Sequence, residues 1–365
     1  MKTDEKFYNA LNQIPQIGAV RFRKLRRYFP NMEAAWRASV AELVRSGMET
    51  KTAEIIAAKR LQIDPDAEME KLERERVRII TFEDPAYPKL LKEIYNPPAL
   101  LYVRGSQDAL AHEYAIAIVG TRKISNYGKQ ITPLISQELA QVGITIVSGL
   151  ALGVDALAHR ATMEAGGRTV AVLGCGIDEK SIYPAANRAV AHNIIESGGA
   201  IISELPLYSL PLKMNFPHRN RIIAGLSLGT LVVEADISSG ALITASAALE
   251  YNRQVFAVPG SVFNPMSRGP NNLLKLGAKA VTAANDILEE LNLTSAASEI
   301  QKRKIIPENA HEEKLLALLS SDPVHIDELI KKSGLRAGEV SSTLTLMEIK
   351  GKVKNLGAQQ YVISR

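Results

Sequence analysis

The sequence predicts an α/β fold, a parallel sheet covered by helices on both faces, with a small helical segment before it and a winged-helix-like module after it. Three observations lead there. Six short apolar runs recur: AIAIVG (115–120), ITIVSG (144–149), TVAVLG (169–174), AIISEL (200–205), GTLVVEA (229–235) and QVFAVPG (254–260). Stretches with helical spacing, such as YGKQITPLISQELAQVG and ALITASAALEYNR, lie between most of them. Continuously apolar strands alternating with helices belong to a parallel sheet buried on both faces. Finally, each run ends in a glycine or a small or acidic residue, which places the loops that carry chemistry at the carboxyl ends of the strands.

The remaining elements follow in chain order. Residues 1–75 show helical spacing, as in AAWRASVAELVRSG and AEIIAAKRLQ. Ile14 to Val20 form a tight turn containing Gly18, followed by the basic stretch RFRKLRR, an arrangement like a helix-hairpin-helix (SAM-like) domain. Such a turn opens a helix with free N–H groups and nearby cations, which suits a phosphate; a plain helical hairpin with a solvated basic face explains it equally well. Residues 84–105 are proline-rich and read as edge strands or a connector leading into the sheet domain, 76–292. Residues 293–310 lose periodicity and read as a linker. In the closing segment, 311–365, Asp327 through Gly334 into Ala337–Ile349 has helix-turn-helix spacing, and NLGAQQYVI makes a wing. The second of these helices, with Ser341, Ser342, Thr343 and Glu339, is poor in basic residues, which favours protein contacts over DNA contacts.

Composition narrows the class. The 365 residues carry 44 Lys and Arg against 39 Asp and Glu, a net charge of +5. No apolar run reaches the roughly 18 residues of a membrane span, the start lacks a secretory pattern, and a single cysteine supports neither a disulfide nor a cysteine-built metal site. The expectation is a soluble cytoplasmic protein without cofactor or metal. The charge is unevenly placed: residues 1–80 sum to +4, 291–365 to +2, and 111–290 to zero. A nucleic-acid partner would therefore be recognised by a few placed residues.

Five motifs carry candidate chemistry. Gly120, Thr121 and Arg122 open a loop between strand and helix, where a glycine admits a ligand to the backbone and an arginine offers a fork to phosphate. Ser148 and Gly149 stand at a strand end ready to face a ligand, and Asp155 with His159, four apart on a helix, suggests a structural contact rather than an acid–base dyad. Cys175 reads as a small packed residue. The densest feature runs from Lys213 to Gly225: the cations Lys213, Arg219 and Arg221 stand around Phe216 and Asn220 where a basic loop leads into a helix over Arg221–Ser227. Cations fix phosphates, and an aromatic ring stacks on an unpaired base. Ser238, Ser239 and Gly240 open a further helix, as a cap or an anion site.

VGTRKISNYG, SGLALGVDALAH, AVLGCGIDEKSIYP, FPHRNRIIAGLS, VVEADISSGALITA and VFAVPGS follow in the order and spacing of the DNA-processing protein A (DprA, or Smf) family, which the chain resembles over residues 80–290. Ala241 departs from the serine common there. The resemblance implies an extended Rossmann-like fold and a non-enzymatic role: dimers that bind and protect single-stranded DNA during natural transformation and load RecA recombinase onto it. It also implies that Arg122, Lys213, Phe216, Arg219, Asn220 and Arg221 contact DNA, with Gly120, Thr121, Ser148, Gly149 and Gly240 lining the same pocket. The alternative is a nucleotide-binding phosphoribohydrolase of the LOG-like group. That group's P-G-G-x-G-T-x-x-E signature is absent, since Ser261, Val262 and Phe263 follow Pro259 and Gly260. A dinucleotide-dependent oxidoreductase would need G-x-G-x-x-G, also missing.

Overall fold

A computed structural model describes residues 2–111, 113–295, 308–319, 323–350 and 352–363. Of the expected linker, residues 296–307 lie outside the described residues. The chain divides into two compact units, Met1–Ile287 and Leu288–Arg365.

The first unit begins with six helices, α1 (Lys2–Asn12), α2 (Ala19–Tyr28), α3 (Met32–Arg37), α4 (Val40–Arg45), α5 (Thr50–Lys59) and α6 (Pro65–Arg74). Their boundaries are written in the side chains. Asn31 caps α3 by accepting from Ala34 N–H, and Ser39 with Glu42 forms a capping box on α4. Asp64 caps α6 ahead of Pro65, whose missing N–H costs nothing at a first helical position.

Strands and helices then alternate: β1 (Arg78–Thr81), α7 (Lys89–Lys92), β2 (Leu100–Gly105), β3 (Ala115–Val119), α8 (Asn126–Gln141), β4 (Thr145–Ser148), α9 (Val154–Glu164), β5 (Thr169–Leu173), α10 (Arg188–Glu196) and β6 (Ala200–Ser203). Next come α11 (Asn215–Gly225), β7 (Gly229–Val232), α12 (Ala241–Glu250), β8 (Gln254–Ala257), α13 (Arg268–Lys275), β9 (Lys279–Ala280) and α14 (Ala284–Glu290). All six apolar runs are strands, and the nine-stranded sheet has the order β1-β2-β6-β5-β4-β3-β7-β8-β9. Neighbours from β6 to β9 are parallel, whereas β1 and β2 pair antiparallel at one edge. This is the doubly wound Rossmann pattern extended by further strands. Strand order reverses at β3, where β4 lies on one side and β7 on the other. Crevices for ligands form at that switch point, outside the carboxyl ends of the strands.

Two cores flank the sheet. One joins the N-terminal helices to α10 and the sheet through Phe7, Leu11, Phe22, Tyr102, Leu173 and Ile194. The helical segment is thus welded to the sheet, and buried polar bonds fix its angle: Tyr102 donates its hydroxyl to Asn9 Oδ1 at 2.7 Å, and Asn12 donates to Glu204 O at 2.9 Å. The other core packs Leu91, Val103, Ile222, Ile223 and Ala248 against the opposite face. Each Leu, Ile, Val or Phe among them contributes about 1.5–3 kcal/mol by leaving water.

The second unit holds α15 (Ala310–Leu318), β10 (Val324–His325), α16 (Ile326–Ser333), α17 (Ala337–Ile349), β11 (Val353–Asn355) and β12 (Gln360–Ile363). Gly334, at φ 69°, ends α16 in the left-handed conformation that sets up the turn into α17. Strands β11 and β12 form the expected wing, with β10 on β12's other side, over a core of Leu315, Leu329, Leu344 and Tyr361.

Candidate nucleic-acid interface

The site gathers where β3, β4, β5 and β7 end and α11 begins. Its central difference from the sequence expectation is that Phe216, Arg219 and Asn220 do not lie on a loop. Helix α11 starts at Asn215, with Pro217 inside the first turn, where no intrahelical partner for its N–H is required. Helical spacing then decides which side chain faces where. Lys213 and His218 are exposed, Phe216 and Asn220 half-buried, and Arg219 points inward at 7% exposure.

Arg219 therefore departs from its expected role as a DNA contact. Its guanidinium donates to Gly149 O at 2.6 Å and to Val172 O, so it ties together the ends of β4 and β5. Burial pulls its pKa down to about 10, opposed by the nearby Asp155 carboxylate. Asp155 is buried too, and desolvation raises its pKa against the pull of Arg219. It accepts from Gly149 N–H at 3.1 Å and from Ala151 N–H at 3.4 Å. The Gly149 peptide is thus held by Asp155 on its N–H and by Arg219 on its carbonyl. No side chain fits there, since a Cβ on Gly149 would come within 2.6 Å of the guanidinium.

Other expected contacts also turn inward. Ser148 is fully buried and donates to Ile118 O at 2.6 Å, locking β4 to β3 rather than facing a ligand. Arg221 makes a two-pronged ion pair with Glu204, its Nη2 2.6 Å from Oε1, and donates to Asn96 O at 2.5 Å. The expected Asp155–His159 contact gives way to separate partners: His159 Nδ1 bonds Thr169 Oγ1 at 2.6 Å, and burial lowers its pKa to about 3. Cys175 is fully buried, with burial raising its thiol pKa.

Arg122, Lys213 and Phe216 are left facing outward. Arg122 is exposed, and its guanidinium carbon lies 5.8 Å from the centre of the Phe216 ring; that of Arg219 lies 5.9 Å away. Tyr183 meets the ring at 5.9 Å between centroids, and Gly174 passes beneath it so closely that a Cβ would sit 2.9 Å from the ring. Lys213 has no ion pair among the described residues. Asn220 donates to Gly240 O at 3.1 Å, joining α11 to the start of α12. Gly120 and Thr121 bring the loop after β3 against β7, with Thr121 N–H donating to Glu234 O at 2.6 Å. Glu234 is a residue that sequence reasoning misses. Its carboxylate accepts from Ser125 N–H at 2.9 Å and from Ser125 Oγ, so the residue at the end of β7 anchors the start of α8 and fixes the Arg122 loop between. The one hint is an acidic residue closing an apolar strand. Beside the site opens a cleft of about 1100 Å³ between the α1–α2 turn and residues 204–222. Among the described residues, no three His, Cys, Asp or Glu side chains gather as a metal site, and no helix is long and apolar enough to cross a membrane.

The fold and site define an extended Rossmann-like α/β protein that carries a winged-helix unit and a cationic, aromatic crevice at its switch point. The sequence profile of DNA recombination-mediator protein A matches residues 78–292, and that of the DprA winged helix domain matches residues 300–359. The chain belongs to the DNA-processing protein A (DprA/Smf) family. It is 35% identical to Protein Smf of Synechocystis, over 98% of both chains. The crystal structure of DNA processing protein A from Streptococcus pneumoniae superposes with a TM-score of 0.69 at 35% identity, covering 78% of this chain and 97% of that one. A Helicobacter pylori DNA processing protein A, whose structure was described for its single-stranded DNA binding mode, superposes at 0.53 with 33% identity, covering 59% of this chain and 96% of that one.

Proposed function

We propose that this protein binds single-stranded DNA at the carboxyl end of its sheet, without catalysing a reaction, and that Arg122, Lys213 and Phe216 make the primary contacts. The observation that carries this reading is a half-buried aromatic ring with Arg122 beside it and Lys213 three residues away, at the switch point of a sheet domain whose charges sum to zero over residues 111–290. Cations on phosphates and a ring under a base are the two elements that sequence-tolerant single-strand binding combines. Gly120, Thr121 and Gly240 line the crevice with backbone, Asn220 braces it, and Ser148, Gly149, Arg219 and Arg221 hold its walls. Asp155 and His159 are each committed to structural bonds, which supports a binding role over an acid–base one for that pair.

Family membership supports the finer reading: a cytoplasmic homodimer that protects incoming strands during natural transformation and loads RecA onto them. The winged-helix unit exposes Ser341, Ser342, Leu346 and Ile349 on α17 instead of cations, which favours a protein partner for that face. Competition between single-stranded and duplex oligonucleotides tests the core assignment, with single strand expected to win; a duplex preference would refute it. Light scattering at micromolar concentration tests the dimer. Assembly of RecA on strands precoated with single-strand-binding protein, with and without this protein, tests loading.

A further inference from the structure

Helix α2 carries the densest run of positive charge in the chain, and its setting is unusual for a solvated helix face. Arg23 and Arg26 are half-buried rather than fanned into water, and Arg27 is exposed beside them. With Lys92 from α7 they line a concave pocket of about 350 Å³ that contains no carboxylate in its wall. Aromatic rings meet the cations: the Arg26 guanidinium lies 3.9 Å from the centre of Phe82, and Arg23 lies 5.5 Å from that of Tyr95. Glu83 pairs with Arg26 at 2.7 Å, but Arg23, Arg27 and Lys92 have no ion pair among the described residues. Tyr95 is 76% exposed, an open ring beside a guanidinium.

This pocket is joined to the α11 site. Asn96 gives its carbonyl to Arg221 of α11 at 2.5 Å and its side-chain oxygen to Arg23 of α2 at 2.5 Å. Ala19, Phe22 and Ala99 line both this pocket and the cleft beside Phe216. The two hollows therefore adjoin along these shared walls, and the path from Phe216 across the cleft to Tyr95 has cations at both ends.

We infer that a single strand held at Phe216 continues along this path onto α2, where Arg23, Arg27 and Lys92 take phosphates and Tyr95 stacks on a base. The inference rests on the single-strand reading above and adds a second contact surface in the helical N-terminal segment. Its signature is dependence on strand length, since a short oligonucleotide fills only the α11 site. Fluorescence anisotropy with a hexamer and a twenty-five-mer of deoxythymidylate tests it, using an Arg27→Glu/Tyr95→Ala double variant. Both substituted side chains reach outward, so the fold is preserved. The double variant is expected to bind the long strand about tenfold more weakly and the hexamer under about twofold more weakly. The salt slope on the long strand should shrink by about 0.7 for each phosphate no longer neutralised. Arg27→Lys with Tyr95→Phe should restore length dependence.

Equal weakening on both lengths, or none on the long strand, overturns the inference. So does removal of the long strand's advantage by millimolar deoxythymidine monophosphate, which would reassign the pocket to a free nucleotide. Hexamer binding that still depends on Arg122 and Lys213 in those cases leaves the primary site standing. A wild-type preference for duplex would instead remove the reading on which both rest.

Discussion

Four cations in or beside the crevice divide into two kinds by where their charge is spent. Arg122 and Lys213 are exposed, whereas Arg219 and Arg221 are committed to carbonyls and to Glu204. Arg122→Ala or Lys213→Glu should weaken single-strand binding and lower the magnitude of its salt slope, by about 0.7 per neutralised phosphate. Phe216→Ala should cost about 1–3 kcal/mol of binding with the slope intact, because stacking releases no counterions. Arg219→Ala behaves differently. It strands Asp155 in the interior with two unpaired carbonyls, so the expected loss is stability, on the order of 3–5 kcal/mol, read as a lowered Tm in thermal unfolding. A charge-to-alanine scan that reads only affinity would confuse the two kinds, and unfolding curves beside it separate them.

At the scale of elements, the strands are legible in the sequence because each is a run of apolar residues buried on both faces, a pattern that little else produces. The glycines and serines that punctuate them are legible for similar reasons. What misleads is α11. A proline followed by polar and basic residues reads as loop, yet a proline in the first turn lets a helix form, and the period of that helix turns Arg219 toward β4 and β5. Charge pattern shows where cations cluster, whereas orientation depends on the element that carries them. Ser148 misleads in the same way: a hydroxyl at a strand end can face a ligand or the neighbouring strand, and only pairing with β3 decides. The α11 platform also depends on its floor. Gly174→Ala should tilt the Phe216 ring, since its Cβ would lie 2.9 Å from it. Affinity should then fall as in Phe216→Ala, with an unchanged salt slope and near wild-type circular dichroism. Wild-type affinity in that variant would show that the ring's position does not matter.

For the whole molecule, the buried polar groups beneath the site make stability depend on pH. His159 sits neutral in the core, its pKa lowered by burial to about 3 against an ordinary value of 6.5. Below 6.5 the unfolded chain takes up a proton that the folded chain refuses. The contribution of His159 is therefore complete above pH 6.5, declines as pH falls from there, and is gone by about pH 3, with a limiting slope of about 1.4 kcal/mol per pH unit. His159→Gln should flatten the fall in Tm between about pH 6 and about pH 4 relative to wild type, and parallel curves would show that another group controls acid unfolding.

The segment that carries the site is also the sheet's long crossing. The chain leaves β6 in one half of the sheet and must pass over β5, β4 and β3 to enter β7 in the other, and α11 lies on that passage. Its approach is pinned where Glu204 accepts from Asn12 and Arg221, where Asp178 accepts from Tyr208 N–H at 2.7 Å, and where Gly176 N–H donates to Ser209 O at 2.8 Å. Beyond them, Leu210, Leu212 and Met214 stand exposed just ahead of the helix. Residues 210–214 thus form an exposed leader into the helix. Adding or removing a residue beside Met214, between the two, would move Lys213 relative to Phe216 while the strands keep their pairing. Over evolutionary time, such a leader lets the grip on a ligand be retuned without reopening the problem of folding the sheet.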